Sequence, residues 1–121
     1  MSDAAKNVKD FLETANQEAA NAKNFAKTAK TEAQNVRVAT KDAAPEAALK
    51  ARAAATNART AADAAEKAWG DAKAELPNVI AGKKEEAAKD VNDAEHAKEN
   101  ADRDAKAAAT DATFAEKMAK Q

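Results

Sequence analysis

Few side chains in this 121-residue chain could do chemistry. His96 is the single histidine, and Asp93-x-x-His96 puts a carboxylate and an imidazole on one helical face, a spacing used in metal-binding bundles. Carboxylate-bridged dimetal sites need that motif twice, with further buried Glu, so with one histidine the pair reads as part of a solvated face. Ser2, the sole serine, reads as a helix cap at the N-terminus rather than a nucleophile. Cys and Tyr are absent, which excludes disulfides, thiol catalysis and thiolate metal ligands. With two Gly in all, no Gly-rich loop can cradle a phosphate. The expectation is a protein that is not an enzyme and carries neither cofactor nor metal.

Charge narrows the partners. Lys and Arg number 20 against 21 Asp and Glu, and the balance is local as well as global. Residues 1–41 carry seven basic and five acidic side chains, residues 42–77 five and six, and residues 78–121 eight and ten. There is no basic stripe, and the aromatic set is only Phe11, Phe25, Phe114 and Trp69, so nucleic acid is not an expected partner. No apolar run reaches the length of a membrane span, and no apolar stretch follows a basic N-terminus, so neither a span nor a signal peptide is expected.

The elements that would position these residues follow from composition. Of 121 residues 39 are Ala, with two Gly and two Pro, which leaves almost no turn residues for a sheet protein and implies an all-α chain. Small apolar residues recur at steps of three and four in three stretches. The first runs Val8, Phe11, Ala15, Ala19, Ala22, Ala26, Ala29, Ala33, Val36, Thr40, and the second Ala47, Ala51, Ala54, Ala58, Ala61, Ala65, Ala68, Ala72, ending near Leu76. The third runs Ala87, Val91, Ala94, Lys98, Ala101, Ala105, Ala108, Ala112, Ala115, Ala119, with Lys98 as its one interruption. Residues 1–121 are therefore expected to form one domain, an elongated up-down-up antiparallel three-helix bundle with Ala-rich coiled-coil-like seams and helices over 3–41, 43–76 and 83–119. Asp42 is placed to cap the second helix, with Pro45 in its first turn, and Pro77 ends it. The phase of the seam also passes through Pro45, so the alternative to a monomer is one long kinked helix over 3–76 that pairs with a second chain.

The larger side chains sort to the ends. With turns near residues 43 and 80, one end gathers Val8, Phe11, Leu12, Trp69, Leu76, Val79, Ile80 and Val91, and the other Val36, Leu49, Phe114 and Met118. The middle is closed by Ala, with Phe25 opposite Ala61–Ala65, and should be more pliable than the ends. Gly70, after Trp69, implies close packing or a bend. Trp69 reads as a core plug, and the tip after Pro77 as a bundle cap. Trp69, Val79 and Ile80 are also the residues placed to touch another protein.

The expected function is a structural or interaction protein, a helical rod acting as surface module, spacer or scaffold. In composition the chain resembles Ala- and Thr-rich fish antifreeze helices, late-embryogenesis-abundant proteins rich in Ala, Lys, Glu and Thr, and Ala-rich surface proteins of trypanosomes. The first two resemblances imply the alternative, stress protection by ice adsorption or by shielding other proteins during drying. On the first hairpin Thr28 and Thr31 would fall level with Thr60 and Thr56, but the 11-residue Thr repeat is missing.

Overall fold

The structure is a computed structural model describing residues 3–121. Three helices, α1 (Ala4–Val38), α2 (Ala44–Glu75) and α3 (Lys84–Ala119), pack pairwise into the up-down-up bundle. At about 1.5 Å per residue each is about 50 Å long. Ser2 lies outside the described residues, and Asp3 caps α1, its carboxylate accepting from the Lys6 backbone N–H at 3.2 Å. Charges at the ends complement the helix dipoles: Arg37 in the last turn of α1, Glu46 in the first of α2, Glu85 and Glu86 in the first of α3 and Lys117 in its last.

The first connection corrects two expectations. Ala39 is extended, with ψ 154°, and the Ala43 and Ala44 N–H groups both bond to the Thr40 carbonyl at 3.1 and 3.0 Å. Pro45, second in α2, lacks the N–H that would bond to Lys41 and its ring would press on that carbonyl, so α1 does not continue through it. Asp42 caps nothing; the Thr40 hydroxyl accepts from Ala43 N–H at 3.3 Å instead. The chain thus reverses about residue 41 rather than 43, which shifts the α1–α2 register by a little over one turn. Asn7 meets Glu75, and Phe25 lies across from Ala53, Ala54 and Asn57 rather than Ala61–Ala65. Thr28 lines that same groove, away from Thr60.

Every seventh residue of each helix is buried: Val8, Ala15, Ala22, Ala29 and Val36 on α1, Ala44, Ala51, Ala58, Ala65 and Ala72 on α2, and Ala87, Ala94, Ala101, Ala108 and Ala115 on α3. This is a heptad seam. Among the described residues the buried apolar side chains are all Ala except Val8, Val36 and Val79. Methyl-on-methyl layers allow helix axes to approach to about 8 Å, the lower limit for packed helices. In α3 the seam departs from the expected track at two places, where Asp90 is buried in place of Val91 and Ala97 in place of Lys98.

The sorting of large side chains to the ends holds in part. Val8 and Val79 pack with Ala72 and Ala87, flanked by Phe11, Leu76 and Val91, and at the far end Phe114 and Met118 pack near Val36. Leu49 does not join them; it is 71 % exposed because it sits one residue beyond Ala48, on the outer side of α2. Gly70 neither packs closely nor breaks the helix: a Cβ there would meet nothing within 4 Å, and α2 runs through it.

Candidate functional site

Two 3-10 turns, Leu76–Asn78 and Ala81–Lys83, join α2 to α3. Pro77 is the second residue of the first, and Val79 N–H bonds to the Leu76 carbonyl at 3.1 Å, which turns the Val79 side chain into the bundle end. Of the three residues proposed for partner contact, Val79 is therefore buried at 3 % exposure, Ile80 projects at 70 %, and Trp69 is half-buried.

Trp69 packs against the Ala68, Ala94 and Ala97 group, and its ring carries two cations, Lys98 Nζ at 4.2 Å and Lys73 Nζ at 5.0 Å from the centroid. The quadrupole of an indole favours a cation over its face. Lys98, which interrupts the α3 seam in the sequence, thus turns off the seam onto Trp69. One turn towards the connection, Lys73, Leu76, Pro77, Lys84 and Ala88 line an open shelf of about 530 Å³ between α2 and α3. The placement of Leu76, Pro77 and Lys73 near Trp69 follows from helical spacing, but Lys84, Ala88 and Lys98 reach it only through the α2–α3 register.

A second concave feature lies between the starts of α1 and α3, a cleft of about 280 Å³ lined by Lys6, Lys9, Lys83, Glu86 and Asp90 among others. Lys9 Nζ bridges Glu86 at 2.6 Å and Asp90 at 3.2 Å. These hydrogen bonds, to Glu86 first, raise the Lys9 pKa, and the same bond to Lys9 lowers that of Glu86. The cleft is internally neutralised, and Lys9 compensates the charge of Asp90 on the seam.

Further ion pairs clamp α2 to α3. Arg52 forks onto Glu116 through Nε at 3.0 Å and Nη2 at 2.8 Å, and Arg59 Nη1 reaches Asp102 at 2.8 Å. Hydrogen bonding from the arginines lowers the pKa of Glu116 and Asp102, with Lys106 adding to the effect at Asp102.

The remaining chemistry-bearing residues do not converge. His96 has a 64 % exposed side chain whose Nδ1 lies 3.8 Å from Glu99, while Asp93 is engaged by Lys89 at 3.0 Å. Among the described residues no group of three or more His, Asp or Glu is placed to hold a metal ion. The hydroxyls of Thr14, Thr28, Thr60 and Thr110 each donate to a carbonyl one turn back in their own helix. Among the described residues no helix is long and apolar enough to cross a membrane. Compared with known proteins, the chain matches no family model, no curated protein and no solved structure.

Proposed function

We propose that the chain is a non-enzymatic helical rod that serves as a spacer, surface module or scaffold and offers one end to another protein. The observation that carries this reading is how the apolar side chains are used. The seams bury Ala almost alone and leave charged outer faces, while Trp69, Leu76, Pro77 and Ile80 keep apolar surface accessible beside the second connection. Accessible aromatic and aliphatic groups ringed by charge are the usual anchors of protein interfaces. The dispersed positions of His96, Asp93 and the paired carboxylates favour a binding role over catalysis.

Solution scattering tests the rod directly. A maximum dimension of about 55 Å with a cylindrical profile is expected from helices of this length. A spherical profile would sink the reading, as would thermal hysteresis or ice shaping by the chain.

A further inference from the structure

We propose that the α2–α3 groove beside the second connection binds an acidic amphipathic segment of a partner protein, whose apolar side chain rests on Leu76, Pro77 and Ala88 and whose carboxylates meet Lys73 and Lys84. The inference rests on the scaffold reading and names the chemistry of its partner.

Charge complementarity decides the occupant. Other cations that cross between helices meet a carboxylate, Lys9 at Glu86 and Asp90, Arg52 at Glu116 and Arg59 at Asp102, or, for Arg37, the Phe114 ring. Among the described residues, Lys73 and Lys84, which line the shelf, have no carboxylate within 4.0 Å, and Lys73 lies over the indole of Trp69 instead. A segment covering this shelf removes water from those ammonium groups, which is costly unless it brings anionic partners. A basic or purely apolar segment would leave them desolvated and unmatched. Lys98, beyond Trp69, lines a separate cleft with Glu66 and Asp102, so the cations of the shelf itself are Lys73 and Lys84. The negative segment is thereby directed towards Pro77 and Lys84.

Shape agrees. The shelf is open along its length and lined by five residues, so it would not enclose the 70–90 % of surface that small-ligand sites bury, whereas a row of side chains on a helix fits such a groove. Its small extent suits a transient contact.

The sole tryptophan provides the readout. The full chain is titrated with a synthetic helical peptide of about 14 residues carrying Leu at i, i+3, i+4 and i+7 and Glu elsewhere. The expected result is a saturable change in Trp69 emission that weakens as NaCl is raised. The double variant Lys73→Glu/Lys84→Glu, at exposed positions, weakens binding at least about tenfold, while Lys27→Glu on α1 stays within about twofold. No saturable change, equal binding of a Lys-for-Glu peptide, or equal loss in Lys27→Glu overturns the proposal. So does an equal emission change with sodium acetate alone, which would reveal a simple anion site. If scattering shows the rod and the peptide fails, this inference falls and the scaffold reading stands; if the peptide binds a chain that is not a rod, the reverse holds.

Discussion

Replacing Ala58 by Leu should destabilise the bundle although Leu is the more hydrophobic residue. Ala58 is fully buried in the middle of α2, and its neighbours Ala54, Ala55, Ala61 and Ala62 are buried as well, as are Ala22 and Ala101 on the facing helices. Three added carbon-sized groups would gain about 2.4 kcal/mol if they could be buried without other change. Ala58 has no exposed surface into which they could turn. To admit them α2 must move away from helices packed at close approach, and the layers at Ala51 and Ala65 lose their methyl contacts at the same time. Overpacking of a filled core typically costs about 1–3 kcal/mol net. For a chain of this length that is a fall in Tm of about 4–12 °C, read by thermal unfolding followed by circular dichroism. Ala107→Leu, on the exposed face of α3, is the control and should stay within about 0.5 kcal/mol. An Ala58→Leu variant that is monomeric and more stable than the parent would show that the seam is loosely filled, and the packing argument would fail.

Other perturbations follow from the same contacts. Gly70→Ala should raise stability by about 0.8–1 kcal/mol in urea unfolding, because the added methyl meets no atom and the helix is already formed there. Asp90→Ala completes the α3 seam and leaves Lys9 bound to Glu86, so it should be neutral or stabilising by up to about 1 kcal/mol; a larger loss would mean that the Lys9–Asp90 pair itself holds α1 to α3. Arg52→Lys keeps the charge but loses the fork on Glu116, with an expected cost of about 0.3–1 kcal/mol at this half-exposed site. Acid should weaken the bundle: Glu86, Asp102 and Glu116 have lowered pKa values when folded, so the unfolded chain binds protons first as pH falls below about 5. Their contribution is complete above the ordinary carboxylate range and disappears as pH drops through the lowered folded values. A urea midpoint that is unchanged between pH 6 and pH 3 would contradict this.

The three helices were legible because Ala spacing and the two prolines leave few alternatives, and each boundary falls within three residues of its expected place. What the sequence concealed has one physical origin. A seam made of Ala is marked by the absence of charge rather than by bulk, so neighbouring positions compete for the core on nearly equal terms. Asp90 could therefore displace Val91 once Lys9 was at hand to compensate it, and Ala97 could displace Lys98, whose long side chain gains Trp69 instead. The exposure of Leu49 has the same cause, since Ala48 suffices for the seam. The register differs because of the turn: no Gly marks it, and the hydroxyl that bonds within it belongs to Thr40, while α2 has no side-chain cap from Asp42. Trp69 and Ile80 were visible as residues that the seam does not fully absorb. The lysine that α3 adds to the groove was not, because Lys84 meets Leu76 only through tertiary packing.

The central claim is that large side chains near the second connection anchor the rod while a methyl-lined middle lets the helices approach but adds little burial. Residue-resolved amide hydrogen exchange tests it directly. Amides around Phe11–Ala15, Ala68–Ala72 and Val91–Ala94, well inside their helices and beside the Trp69 and Phe11 clusters, should exchange more slowly than those around Ala22–Ala29, Ala51–Ala58 and Ala101–Ala108. Protection in the middle equal to or greater than that beside Trp69 would contradict the account.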